Sequence, residues 1–256
     1  MEDLGIDSAG GVATVEIRRP PHNFFDEDLI AALADALEAL DEDAACRAVV
    51  LAAQGSAFCA GARLAGGGEG AGDFRSRSRR LYDHALRLFR TRKPLVAAVH
   101  GAAVGGGLGL ALAADLRVTC PEARFSANFA RLGFHPGFGL SLTLPELVGP
   151  SRAADLLLTG RRVPGEEAAA LGLADRLVPR ERVREEAKAL ARELAGSAPL
   201  AVVAIRATLR RGLAERVAAA LEHELAEQAR LIATPDAREG ILAMAERREP
   251  RFTGRG

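Results

Sequence analysis

The period of the apolar positions changes several times along the chain, and each change marks an element. Val12 to Arg18, V-A-T-V-E-I-R, alternates apolar and polar residues and predicts a strand. Arg19-Pro20-Pro21-His22-Asn23 ends it. Asp26 is a good N-cap for a helix with Leu29, Ile30, Leu33, Leu37 and Leu40 on one face. Asp41 to Ala45 predicts a turn, and the unbroken apolar run Ala48 to Ala52 a short buried strand. Phe74 to Arg92 predicts a helix with Leu81, Leu88 and Phe89 inward and arginines on a solvated face. Leu95 to Val99 and Leu116 to Cys120 predict two more strands, and Phe125 opens a further short element. From Ser151 onward the pattern is helical. Ser151 is placed as the cap of Arg152 to Leu158. Pro164, Glu166 and Glu167 open a short helix that stops at Gly172, and Leu173 to Val178 is extended. Arg180 to Ala195, Leu200 to Arg211 and Leu213 to Ala233 are helices. Thr234 caps a last one with Pro235 at its first position. Strands alternate with helices in the N-terminal part, which gives an α/β class, and the sequence shows no internal repeat.

The chain is organised around Lys93 to Asp115, K-P-L-V-A-A-V-H-G-A-A-V-G-G-G-L-G-L-A-L-A-A-D. A strand buried on both faces runs into Gly105, Gly106 and Gly107 and then into a helix of small residues. Glycines there let main-chain N–H groups come close to a ligand, because no Cβ blocks the approach. The helix N-terminus adds unpaired donors and a partial positive charge. The stretch predicts an anion-stabilising backbone site. It is not a dinucleotide fingerprint, since Gly105 and Gly107 are followed by Leu110 where a third glycine is needed. It is a poor membrane span, with His100 and the glycine cluster in its middle. A second small-residue segment, Gln54 to Leu64, follows the Ala48 to Ala52 strand, at the strand end where open α/β sheets bind ligands. Gly66 to Gly72 predicts a flexible loop, and Arg131 to Gly139 a loop with three glycines. No G-x-S-x-G occurs, so a serine-hydrolase elbow is not supported.

Composition narrows the class further. The 256 residues fit one α/β domain with or without an appendage, and 48% hydrophobic residues suffice for a sizeable core. Lys+Arg of 34 balances Asp+Glu of 34, so no footprint for nucleic acid or an anionic membrane appears. Cys46, Cys59 and Cys120 form no C-x-x-C pair, which argues for a reducing compartment and against a disulfide framework or zinc site. The start, M-E-D-L-G-I-D, lacks the basic and apolar regions of a secretion signal. The expectation is a cytoplasmic protein.

Three motifs, with a fourth similar segment, carry a resemblance that spans nearly the whole chain. Ala57 to Ala62, A-F-C-A-G-A, resembles the first oxyanion segment of the crotonase (enoyl-CoA hydratase/isomerase) superfamily. Lys93 to Gly107 resembles its second. Thr234 to Ile241, T-P-D-A-R-E-G-I, with R-R-E-P-R-F-T-G-R at the end, resembles its C-terminal signature, and Leu156 to Val178 is also similar to the family pattern. The resemblance implies the crotonase (ClpP-like) α/β spiral of repeated ββα units, with a spiral core over 1–195 and a helical trimerisation region over 196–256. It implies homotrimers or dimers of trimers, and an acyl-CoA substrate with no metal or redox cofactor. It implies that the N–H groups of Ala62 and Gly106 hold the thioester oxygen while an enolate forms. Carried over with them as substrate-binding positions are His22, Phe24, Ala60, Arg63, Leu64, Val104, Gly105, Gly109, Asn128 and Phe129.

The sequence departs from the pattern where protons move. Family hydratases use two glutamates; the matching residues are Gly109 and Phe129. Some family isomerases use an aspartate where this chain has Gly137, and an acid often follows the first oxyanion alanine where this chain has Arg63. His135, in the same loop as Gly137, is the candidate substitute base, as its side chain titrates near neutral pH. Cys59 reads as a small core residue.

Overall fold

The computed structural model describes residues 3–62 and 71–255. In chain order the elements are β1 (Leu4–Ala9), β2 (Val12–Ile17), α1 (Glu27–Glu42), β3 (Ala48–Ala53), β4 (Ala57–Cys59), α2 (Ala71–Phe89), β5 (Leu95–Val99), β6 (Ala102–Val104), α3 (Gly106–Ala113), β7 (Leu116–Thr119) and β8 (Arg124–Ser126). A 3-10 turn, Ala130–Leu132, then leads to α4 (Leu140–Val148), α5 (Pro150–Thr159), β9 (Arg162–Pro164), α6 (Gly165–Leu171) and β10 (Arg176–Leu177). A second 3-10 turn, Arg180–Arg182, precedes α7 (Val183–Ala195), α8 (Pro199–Leu209), α9 (Leu213–Leu231) and α10 (Pro235–Glu246).

Two sheets organise these elements. One has the order β1-β2-β3-β5-β7-β10 and the other β4-β6-β8-β9. Each strand from β3, β5 and β7 crosses into the second sheet, and the β3-β4-α2 and β5-β6-α3 units repeat the same ββα path. The repeat is structural and leaves no trace in residue identities, because it is set by which face of each strand is covered. Strands β2, β3, β5 and β7 run parallel, and β3 and β5 are buried along their whole length, which is why they read as unbroken apolar runs. Helix α7 packs against β2, β3, β5 and β7.

Local chemistry explains most boundaries. The Asp26 carboxylate accepts the Leu29 N–H at 3.0 Å and starts α1, whose Leu29, Ile30, Leu33, Leu37 and Leu40 are buried as the periodicity requires. The Thr234 hydroxyl accepts the Ala237 N–H at 3.2 Å, with Pro235 at the first position of α10. Asp115, which closes the Gly-rich stretch, accepts the Leu95 N–H at 2.8 Å, Arg206 Nε at 2.7 Å and Arg210 Nη1 at 2.8 Å. It thereby fastens α8 to β5.

Several sequence expectations need correction. Strand β1 is absent from the pattern because it alternates poorly, with Ile6 about half exposed; it pairs antiparallel with β2 through a two-residue turn at Gly10 and Gly11, both at positive φ. That Gly-Gly pair was the available signal. Helix α1 runs through Glu42, into the predicted turn. Helix α2 already includes Ala71 and Gly72, so the expected loop is shorter at that end; Gly66 to Gly70 lie outside the described residues. Helix α5 starts at Pro150 after Gly149, not under a Ser151 cap, because proline suits the first helical position. Arg180–Arg182 is a 3-10 turn, and the helix begins at Val183.

Helix α4 was missed altogether. Pro145 lies inside it and its N-cap is Gly139, which has no side chain to cap with. The cap comes from α9 instead. Glu224, fully buried, accepts the Gly139 N–H at 2.8 Å, the Ser141 N–H at 2.9 Å and the Ser141 hydroxyl at 2.6 Å. Burial raises the pKa of this carboxyl, while the bonds from Ser141 and Gly139 oppose that shift. Glu224→Gln presents an amide donor to one of these donors. It is expected to lower unfolding stability by about 1–3 kcal/mol, read from denaturant melts; an unchanged melt would remove Glu224 as the cap.

Candidate active site

The two peptide groups expected to form the site are each fixed through the carbonyl. The Gly61 carbonyl accepts the Phe25 N–H at 3.0 Å, where Ala62 forms a parallel bridge with Phe25. The Gly61 carbonyl and the Ala62 N–H belong to one trans planar peptide and point opposite ways, so the Ala62 N–H faces away from Phe25. The Gly105 carbonyl accepts Leu108 N–H at 3.0 Å and Gly109 N–H at 3.2 Å, directing it into α3. The same geometry turns the Gly106 N–H outward from the helix N-terminus, where it has no intrahelical partner.

Glycine is required by how closely these segments meet. A Cβ on Gly107 would lie 2.1 Å from the Cys59 carbonyl oxygen, and one on Gly61 would lie 2.8 Å from that of Val104 and 3.9 Å from Gly106 N. Gly105 sits at φ 56, ψ −124, a region open essentially to glycine alone. The end of β4 is thus pressed against the start of α3, with Ala62 exposed and Gly106 half-buried. The segments that carry the sequence-predicted pair lie side by side.

The remaining predicted residues divide into those beside the pair and those set apart. Ala60 donates its N–H to the His22 carbonyl at 3.0 Å, and Val104 ends β6 beside Gly61. The exposed His22 ring meets the half-buried Phe24 edge-on at 5.7 Å. Their segment is held by Asn23, whose buried amide donates to the carbonyls of Gln54 at 2.6 Å and Ala57 at 2.7 Å. Asn128 and Phe129 flank Gly105: a Cβ there would be 3.6 Å from Asn128 Oδ1 and 3.7 Å from Phe129 Cζ. Arg63 and Leu64 lie outside the described residues.

The space over Gly109 on α3 and beside Gly137 in the 131–139 loop is taken by other side chains. A Cβ on Gly109 would lie 2.7 Å from Phe138 Cβ, and Phe138 in turn packs on Phe25 with ring centroids 5.5 Å apart. A Cβ on Gly137 would lie 2.1 Å from the Tyr82 hydroxyl and 2.5 Å from Gln228 Nε2. Tyr82 donates to Gln228 Oε1 at 2.8 Å, and Gln228 donates to the His135 carbonyl at 3.0 Å. His135 is half-buried; its Nδ1 is 2.9 Å from the Pro136 carbonyl oxygen and its ring meets His223 of α9 edge-on at 5.4 Å. Sequence reasoning missed Phe25, Phe138, Tyr82, Gln228 and Glu224. An aromatic between two glycines, as at Gly137-Phe138-Gly139, was a signal for the second of these; the rest depend on contacts distant in sequence.

The thiol of Cys59 is pushed up to about 12 by complete burial, which leaves it protonated and unreactive. Among the described residues, no group of three or more His, Cys, Asp or Glu gathers as a metal site. A cavity of about 670 Å³ opens at the ends of β3 and β5, lined among others by Gln54, His100, Arg180 and Arg184, and shares no lining residue with the donor pair. Among the described residues no helix is long and apolar enough to cross a membrane.

Known proteins fit this geometry. Residues 7–255 match the enoyl-CoA hydratase/isomerase family. A Thermus thermophilus protein provisionally named an enoyl-CoA hydratase is 40% identical over 95% of this chain and 98% of its own. A carnitinyl-CoA dehydratase of Proteus mirabilis is 33% identical over 99% of both chains. The crystal structure of an enoyl-CoA hydratase/isomerase from Pseudoalteromonas atlantica superposes with a TM-score of 0.86 at 31% identity, covering 98% of this chain and all of the other. With the spiral, the two glycine-rich segments and these relatives in agreement, the chain belongs to the enoyl-CoA hydratase/isomerase family and has the crotonase fold.

Proposed function

We propose that this protein binds an acyl-CoA thioester through the Ala62 and Gly106 N–H groups and promotes reaction through the enolate. The observation that carries this is the anchoring of both peptide carbonyls, on Phe25 N–H and on Leu108 and Gly109 N–H, which preorganises the donors before substrate arrives. As electrons move from the α-carbon toward the thioester oxygen, the developing negative charge meets donors that need not reorient. The relatives' names, enoyl-CoA hydratase and carnitinyl-CoA dehydratase, support a CoA thioester as substrate class.

Hydration is the family reaction this site suits least. Gly109 and Phe129 cannot exchange protons, and Phe138 occupies the space over Gly109. A reaction that makes its enolate without a base fits better. In decarboxylation of a 2-carboxyacyl thioester, the C–C bond to the carboxylate breaks, CO2 leaves, and its bonding electrons enter the enolate; water then protonates the α-carbon. Such a reaction needs no metal or redox cofactor. Asn128, beside Gly105, is the polar side chain placed to orient the substrate. His135 is held on the Pro136 and His223 side of its loop and has no step in this scheme. A second function, acyl-CoA binding without turnover, is favoured by the same loss of carboxylates. A panel of enoyl-, dienoyl-, malonyl- and β-ketoacyl-CoA thioesters, assayed for turnover beside direct binding, separates the two.

A trimer is part of the proposal, since α8 leaves Leu200, Ile205 and Leu209 on its outer side at 86%, 60% and 80% exposure. Light scattering is expected to give a multiple of three chains, and a monomer mass would overturn it. Gly106→Val, which sets a side chain against Phe25, should lower turnover about 100–1000-fold, or abolish thioester binding in a non-catalytic protein. An unaffected variant removes the donor assignment. His135→Ala should change kcat by less than about tenfold, whereas a loss of about a hundredfold or more would make it the base.

A further inference from the structure

Gly106 and Gly109 lie three residues apart on α3 and so share one face of it, beginning at the Gly106 donor and continuing one turn along the helix. A thioester held at that donor has its acyl carbons beside this face. Two phenyl rings already cover it. Phe25 Cζ is 2.5 Å and Phe138 Cδ2 3.5 Å from where a Gly106 Cβ would be, and three Phe138 carbons come within 3.0 Å of the corresponding point at Gly109. The rings tilt at 57° to each other and are 3% and 1% exposed. Among aromatic side chains this is a closed wall, with no room for a long chain to pass between helix and ring.

Phe138 is also held in place against a local preference. Its φ is +61°, a left-handed backbone that a bulky side chain rarely adopts. Such conformations persist where the surroundings over-determine them, and they gather at functional sites. The surroundings here are the buried Glu224, which bonds the next residue, Gly139, and Gln228, which bonds the His135 carbonyl on the other side. Both come from α9, so the wedge is positioned by a helix remote in sequence.

We infer that Phe138, backed by Phe25, is the specificity-determining residue at the acyl end of the site, and that the substrates are CoA thioesters with a short acyl group of acetyl to butyryl size. Because this rests on the acyl-CoA function proposed above, its test is built on binding and does not require turnover. Calorimetry would measure free CoA and acetyl-, butyryl-, hexanoyl- and octanoyl-CoA against the wild type, Phe138→Ala and Phe138→Gly. The glycine variant relieves the positive φ while removing the ring, so it guards against failure to fold. The wild type should bind butyryl-CoA at least about tenfold more tightly than octanoyl-CoA. Either variant should shift that ratio toward octanoyl-CoA by about tenfold or more, with free CoA affinity unchanged. Equal wild-type affinity for butyryl- and octanoyl-CoA overturns the inference, and so does a folded variant with the wild-type length profile. If acyl-CoAs bind but length does not matter, only the role of Phe138 fails; if no thioester binds more tightly than CoA, the proposed function fails and this falls with it.

Discussion

Main chain pressed on main chain, where β4 ends and α3 begins, is the constraint on which the rest of this structure depends. With a Cβ at Gly107 the Cys59 carbonyl would be 2.1 Å away, so the contact exists only for glycine. That closeness sets two peptide segments more than forty residues apart side by side. It also explains why the surrounding scaffold is so apolar and small. Fully buried Ala57, Phe58, Cys59, Ala103, Leu108 and Ala111 leave these backbones little freedom to part. Preorganised donors cost nothing to align during reaction only if the scaffold has already fixed them.

Anchored main chain and closely packed side chains meet at the two glycine-rich segments. The Gly61 and Gly105 carbonyls each accept main-chain N–H groups, from Phe25 and from Leu108 and Gly109. Side chains distant in sequence pack against two of the nearby glycines: Phe138 over Gly109, and Tyr82 with Gln228 at Gly137. Burial also raises the pKa of Tyr82, keeping it a neutral hydrogen-bonding group. A carboxylate placed at Gly109 alone would collide with the Phe138 ring.

Local signals made much of this legible from the sequence. The Asp26 and Thr234 caps, the buried runs of β3 and β5, and the two glycine-rich segments each depend on residues within a few positions of one another. So these elements and segments could be marked out before any coordinates. The illegible parts depend on distant partners. Helix α4 has a glycine cap and an internal proline, and only Glu224, eighty-five positions beyond Gly139, supplies its missing acceptor. Phe138 read as one residue of a glycine-rich loop; its meaning comes from Gly109 and Phe25, which no spacing rule connects to it. Strand β1 was lost for a third reason, because an edge strand with one weakly buried face barely alternates.

Asp115 binds both ends of the central stretch to a third element. Its carboxylate takes the Leu95 N–H at the base of β5 and the guanidinium groups of Arg206 on α8 and Arg210 just beyond its end. The stretch from Leu95 to Asp115 is therefore a closed loop with a clasp, and the clasp is riveted to the C-terminal helices. Local opening of a protein proceeds in cooperative units, not residue by residue. Here the donor at Gly106 cannot loosen as a solitary loop would; β5, β6, α3 and α8 share one opening event. How long the Gly106 geometry survives between fluctuations is then tied to a helix remote from it in sequence.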